Sequence, residues 1–200
     1  MGEMTTPLSD SDKRELLRLA REAIDAAVRE KPFPPVDTAR LSPALLRQGT
    51  CFVTLTESGE LRGCIGGLHA LDPLYEDARQ HAMQAATRDY RFPPVTPDEV
   101  PKLDIEISVL TEPQPLNYDA PEDLLRLLRP EVDGVIISQG YRRATFLPQV
   151  WERVPDPEIF LSMLCEKMGA PPDSWRRTKL EVQTYQVESF TEAELSMHKA

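Results

Sequence analysis

The sequence predicts an α+β fold, antiparallel β-sheet with packed helices, and three observations carry that expectation. Two stretches repeat apolar residues at helical spacing, near 9–31 and 157–168. Two pairs of β-forming runs, 51–55 with 61–65 and 134–138 with 142–147, are separated by glycine-containing turns and read as hairpins. The segments also lack the regular strand–helix–strand alternation of a doubly wound parallel sheet.

Taken in order, Ser9 with Asp12 three residues on marks a helix start, and Leu17, Ala20, Ile24, Ala27 and Val28 then share a stripe. Pro32, Pro34 and Pro35 end that helix near Lys31, because proline lacks the N–H a helix needs. The chain from there to Gln48 is read as connection. Ser58-Gly59 turns the first hairpin, which Gly63, Gly66 and Gly67 punctuate. Asp72-Pro73 reads as the start of a helix running to about Ala86, with Asp as cap and Pro in the first turn.

Leu103, Ile105, Ile107 and Val109 alternate with Asp104, Glu106 and Ser108, the period of a strand with one buried face, so Glu106 points away from the core. A short helix near 124–128 precedes the second hairpin, whose turn is placed at Gln139-Gly140. Asp156-Pro157 repeats the helix-start pattern. Phe160, Leu161, Leu164, Cys165 and Met168 follow on one stripe that stops at Gly169, so Cys165 is read as core. Residues 180–187 read as a single final strand.

A chain of 200 residues, 40% hydrophobic and 28% charged, is long and apolar enough to bury roughly 70% of its unfolded surface and is not a disordered polymer. Its 33 acidic residues against 23 basic ones give a net charge of -10, which repels phosphate backbones and anionic lipid. Nucleic acid is therefore an unfavoured partner, and the pairs Arg142-Arg143 and Arg176-Arg177 are read as solvated surface. No apolar run approaches the length of a membrane span, and a cytoplasmic location is expected. Cys51, Cys64 and Cys165 are an odd, sparse set without a C-x-x-C pair, as expected of free thiols in a reducing compartment. No phosphate-binding glycine fingerprint occurs, and no cofactor is expected.

Five blocks stand out: QGTCFVTLTESGELRGCIGG at 48–67, DYRFPPV at 89–95, DIEISVL at 104–110, TFLPQV at 145–150 and FLSMLCEKMG at 160–169. Together they resemble the AMMECR-one domain family, whose bacterial and archaeal members are also called AmmeMemoRadiSam system protein A. The resemblance covers about residues 9–190. It implies a single domain of two closely packed lobes, with a cleft near the LRGCIG run, and flexible tails at 1–8 and 191–200. It also implies Memo-type and radical-SAM proteins as partners, but no established reaction.

Cys64, framed by Gly63 and Gly66, is the principal candidate, because backbone without side chains lets another molecule approach its sulfur. A thiol of ordinary pKa near 8.5 is only about 3% thiolate at pH 7, so a cysteine nucleophile needs cationic or helix-end help. Arg62, Arg91 and the amino end of the Asp72-Pro73 helix are the candidate sources. Packing of Cys64 as a small buried hydrophobe is the bland alternative.

Asp89 and Arg91 lie in a loop before Pro93-Pro94 and are candidate binding groups, or ties that hold the loop down. Glu106 offers a carboxylate as acid or base, or simply meets water; Thr145 and Gln149 offer a polar pocket wall, or the end of a strand. His81 shares a stripe with Leu74, Ala78 and Ala85 and reads as structural, His69 lies in a loop five residues after Cys64, and His198 lies in the tail. Cys64 with His69 supplies at most two ligands, so no structural metal is expected.

Two functions follow from these residues. In one, the chain is an enzyme acting on a small molecule or a protein, with Cys64 as nucleophile or essential contact and Arg62, Asp89, Arg91 and Glu106 as orienting or acid–base groups. In the other, it is a non-catalytic module that binds a ligand or protein at the same place.

Overall fold

The structure is a computed structural model and describes residues 7–196; His198 lies outside them. In chain order the first elements are α1 (Asp10–Val28), α2 (Pro43–Leu46), β1 (Thr50–Glu57), β2 (Glu60–Gly66), α3 (Leu74–Thr87) and β3 (Leu103–Leu110). Then come β4 (Gln114–Pro115), α4 (Pro121–Leu127), β5 (Gly134–Gln139), β6 (Arg142–Phe146), α5 (Pro157–Lys167), α6 (Ser174–Arg177) and β7 (Glu181–Tyr185). The chain closes with β8 (Val187–Thr191) and α7 (Glu192–Ser196). These elements divide into two compact units, one of residues 1–110 and 188–200, the other of residues 111–187.

In the first unit the strand order is β2-β1-β3-β8. Ser9 caps α1 as its sequence predicts: its hydroxyl accepts from the Asp12 N–H at 3.2 Å, and the Asp12 carboxylate accepts from the Ser9 N–H at 3.0 Å. Alternation along β1 and β3 puts Cys51, Val53, Leu55, Ile105 and Ile107 on one face, each fully buried in a core shared with Leu16, Ala20 and Ile24 of α1 and Ala78 and Ala82 of α3. Burying an aliphatic side chain contributes about 1.5–3 kcal/mol, so this face fixes where both helices dock.

The hairpin β1–β2 turns at Ser58 and Gly59, both at positive φ (54° and 82°), the conformation a two-residue hairpin turn requires. Asp72, in contrast, does not cap α3. Its carbonyl accepts from the Gly49 N–H at 3.2 Å and the Leu74 N–H donates to the Arg47 carbonyl at 2.9 Å, so the preceding chain satisfies the groups a cap would have taken.

In the second unit the order is β4-β7-β5-β6. Val135, Ile137, Ala144 and Val182 pack against Phe160, Leu161, Leu164 and Cys165 of α5, which places Cys165 in the core. The Asp156 carboxylate caps α5 by accepting from the Glu158 and Ile159 N–H groups, and Gly169 at φ 77° ends it. The second hairpin closes at Gln139 and Arg142, one residue later than its sequence indicated, with Gly140 at φ 62° in the turn.

Residues 180–187, expected as one strand, are divided: β7 belongs to the second sheet and β8 to the first, with Gln186 between them. Residues 191–196, expected as tail, hold the end of β8 and α7, where Glu192 pairs with Arg21. No helix among the described residues is long and apolar enough to cross a membrane.

Candidate functional site

One extra residue decides which way Cys64 faces. A regular hairpin closed by Glu57 and Glu60 would set Cys64 opposite Val53, on the core face. Instead the register shifts between Leu55 and Thr56, which pair with Gly63 and Leu61, so Arg62 is the bulged residue and Cys64 lies opposite Thr54. Side chains on a strand alternate, so the bulge carries Cys64 to the face opposite the helices. There it is half-buried, unlike Cys51 and Cys165, which are sealed.

The Thr54 hydroxyl donates to the Cys64 sulfur at 3.3 Å. Across β1 in the same row, Thr54 pairs with Glu106 of β3, and the Ser108 hydroxyl donates to the Glu106 carboxylate at 3.2 Å. Ser108 also exchanges a hydrogen bond of 2.8 Å with Ser189 of β8. Cys64, Thr54 and Glu106 thus form a polar row over three strands. Two strand spacings separate its ends by about 10 Å, so Glu106 meets the sulfur through an intervening group or a bound molecule.

β2 is an edge strand, and its outward backbone groups at Cys64 are held by Asp89 and Arg91. The Cys64 N–H donates to Asp89 Oδ2 at 2.9 Å, and Arg91 donates to the Cys64 carbonyl at 3.2 Å while binding the Asp89 carboxylate through Nε at 2.9 Å and Nη2 at 2.6 Å. Arg91 holds the Asp89 carboxyl far below the usual carboxylate range; burial opposes this, and the Cys64 and Arg91 N–H groups add to it. The Asp89 side chain is 2% exposed and that of Arg91 44% exposed, so the pair has a sealed half and an open half.

Arg62 does not join this cluster. Its guanidinium pairs with Glu99 at 2.8 Å and donates to the Pro93 and Pro94 carbonyls, which ties down the loop after DYRF. The same pairing, with the Thr96 N–H behind it, lowers the Glu99 carboxyl to about 2. Help from the amino end of α3 is also ruled out by position. A Cβ on Gly63 would lie 2.2 Å from the Ala85 carbonyl oxygen, so it is the carboxyl end of α3 that crosses β2, on the core side. Gly66 makes room for the ring of Phe52, its cross-strand partner, which a Cβ would meet at 2.3 Å.

His81 is tied through Nδ1 to Asp77 at 3.0 Å and its side chain is 14% exposed, while His69 is exposed in the loop after β2. Burial, with Asp77 adding to it, pushes the Cys51 thiol well up, and burial raises that of Cys165. Thr145 and Gln149 belong to the second unit. The Thr145 hydroxyl donates to the Val135 carbonyl at 2.9 Å and shares a bond with the Tyr185 hydroxyl, and Gln149 is exposed in a turn after β6.

Sequence reasoning missed Thr54 and Ser108. Their alternation with apolar residues was visible, but Thr54 meets Cys64 only through the register that the bulge sets, and Ser108, itself buried, meets Ser189 only through the distant strand β8.

The fold and this row define an α+β protein with a half-buried thiol on a polar sheet face. The AMMECR1 family profile matches residues 17–190, and the chain belongs to that family. A protein of Methanothermobacter thermautotrophicus is 41% identical over 93% of this chain and 97% of its own length. Protein Mbar_A1807 of Methanosarcina barkeri is 39% identical over 94% of this chain and 93% of its own length. The crystal structure of protein PH0010 from Pyrococcus horikoshii, 36% identical, superposes with a TM-score of 0.82 over 92% of this chain and 93% of that one.

Proposed function

We propose that the polar face around Cys64 is the working site of an enzyme that modifies a small molecule or a protein, with the Cys64 sulfur as nucleophile or essential contact. The observation that carries this reading is the bulge at Arg62, which takes one cysteine out of the core and sets its sulfur beside a hydroxyl donor. The thiolate is the form of a cysteine that attacks. Glu106 then serves as acid or base toward the bound molecule, the Asp89–Arg91 pair fixes the strand edge, and the open half of Arg91 meets an anionic group on the ligand. Family membership motivates Memo-type and radical-SAM proteins as the partners with which it acts.

Thiol alkylation followed across pH, with mass-spectrometric assignment, tests the proposal. Cys64 is expected to react in the folded protein while Cys51 and Cys165 stay silent; an equally silent Cys64 removes nucleophilic catalysis.

One observation favours a second reading, a module that binds a ligand or protein without catalysis: the Asp89 carboxylate is fully engaged by Arg91 and the Cys64 backbone. Under that reading Cys64→Ser keeps binding and biological activity, and Arg91→Ala weakens both. Loss of activity in a folded, ligand-binding Cys64→Ser variant decides for the enzyme.

A further inference from the structure

A second cluster lies at the other side of β1, where Cys51 faces the core. Asp77 and His81, one helical turn apart on α3, project from the same face toward it. The Cys51 sulfur, an Asp77 carboxylate oxygen and a His81 ring nitrogen all lie within 4.8 Å of one another. Nothing in their spacing along the chain announces this, since Cys51 is separated from the other two by the hairpin and the loop that follows it.

The surroundings call for a cation. Asp77 is 7% exposed and borders Leu74, Ala78 and Ala82 of the core, yet no lysine or arginine among the described residues pairs with it. Its only ion-pair partner there is His81, which is charged only when protonated. A buried carboxylate is costly unless it is paired or coordinates a metal. Its orientation is also fixed by donors that are not themselves ligands: the Cys51 N–H at 2.9 Å and the Thr50 hydroxyl at 3.4 Å.

We propose that Cys51, Asp77 and His81 form a zinc site, with the Cys51 thiolate, one Asp77 oxygen and His81 Nδ1 as ligands and water in the fourth position. Sulfur, nitrogen and oxygen donors together suit zinc and exclude magnesium and calcium, which take oxygen. Zinc–sulfur and zinc–nitrogen bonds of about 2.3 and 2.0 Å on a tetrahedron set donors about 3.3–3.8 Å apart. The separations here, 3.0 Å between His81 Nδ1 and Asp77 Oδ2 and no more than 4.8 Å for any pair, bracket that range. The half-buried ring of His81 lies beside Gly67, where a Cβ would stand 3.4 Å from Cε1.

The test is a cobalt titration of the full chain, stripped of metal and kept reduced and free of oxygen. One equivalent of Co2+ is expected to give a thiolate charge-transfer band in the near ultraviolet and the intense visible bands of four-coordinate cobalt, all abolished by Zn2+. Cys51→Ser should remove the charge-transfer band, Cys165→Ser should leave it, and His81→Ala should weaken binding beyond the about 100-fold that loss of an outer partner costs. No saturable cobalt spectrum in folded wild type, or an unchanged one in His81→Ala, overturns the proposal. If either ligand variant fails to fold by circular dichroism, Asp77→Asn carries the test, because it keeps the size and an acceptor for the Cys51 N–H. At least about a 10-fold loss of cobalt affinity is expected, and unchanged affinity overturns the site.

Discussion

Asp89 ties three things together with one side chain: the edge of β2 at Cys64, the Arg91 guanidinium and the loop they share. Replacing it with Asn keeps the shape but leaves Arg91 without its anion and weakens the hold on the Cys64 N–H. A hydrogen bond to a charged group contributes about 1.5–3 kcal/mol, so Asp89→Asn is expected to cost about that much in urea unfolding. Acid tests the same pairings. The folded carboxyls of Asp89 and Glu99 lie below their ordinary values of 3.8 and 4.5, so their contribution is full above about pH 4.5. It is lost as pH falls through the folded values, near 2 for Glu99 and lower for Asp89. The midpoint of thermal unfolding should therefore fall over that window, and less steeply in Glu99→Gln; parallel profiles would show that Glu99 is not coupled to folding. Gly63 gives a steric counterpart. A Cβ there meets backbone, the Ala85 carbonyl, so Gly63→Ala should destabilise by about 1–3 kcal/mol, measured by the same urea unfolding.

The bulge in β2 positions the thiol, and its effect is separable from that of its side chain. Deleting Arg62 joins Leu61 to Gly63 and leaves the pairs Thr56–Leu61, Leu55–Gly63 and Thr54–Cys64 as a regular hairpin. Cys64 should then keep its alkylation rate within a few-fold, as it should in Arg62→Ala, while amide exchange in the loop 93–99 rises because its tie to Arg62 is gone. A Cys64 that becomes silent on deletion would mean the strand had slipped. This also marks the limit of what could be read beforehand. The caps of α1 and α5 at Ser9 and Asp156, the Ser58-Gly59 turn and the burial alternation of β3 from Leu103 to Ile107 are local signals, and all were legible in the sequence; beyond Ile107 the alternation fails, with Ser108 buried and Val109 half-buried. Cys64, Asp89 and Arg91 were each singled out in the sequence, but their meeting at the edge of β2 was not legible there, and the bulge that aims the sulfur depends on pairing with β1. The division of 180–187 between two sheets depends likewise on distant partners, as does the meeting of Cys51 with Asp77 and His81. Residue types and spacing carry no trace of such non-local contacts.

Each unit has its own core, and their reporters are segregated. Both tryptophans lie in the second: Trp151 stacks on Phe160 at 3.6 Å and donates to the Asp133 carbonyl, and Trp175 is 1% exposed. The longest helices, α1 and α3, with 19 and 14 residues, belong to the first unit, so far-ultraviolet circular dichroism weights that unit while tryptophan fluorescence reads only the second. The second unit is one continuous segment, whereas the first is closed by β8 returning beside β3. A unit with its own core is a candidate for independent unfolding, and chains with two such units depart from two-state behaviour. Ile107 is fully buried in the first core, and truncating it to Ala should cost about 2–5 kcal/mol there. The expected result is a circular-dichroism transition that moves to lower urea in Ile107→Ala while the fluorescence transition stays within its error. Leu164→Ala, in the second core, should do the reverse. Coincident shifts of both probes in both variants would show instead that the two cores fail as one cooperative body, in which case a change at the Cys64 row would be felt by the tryptophans.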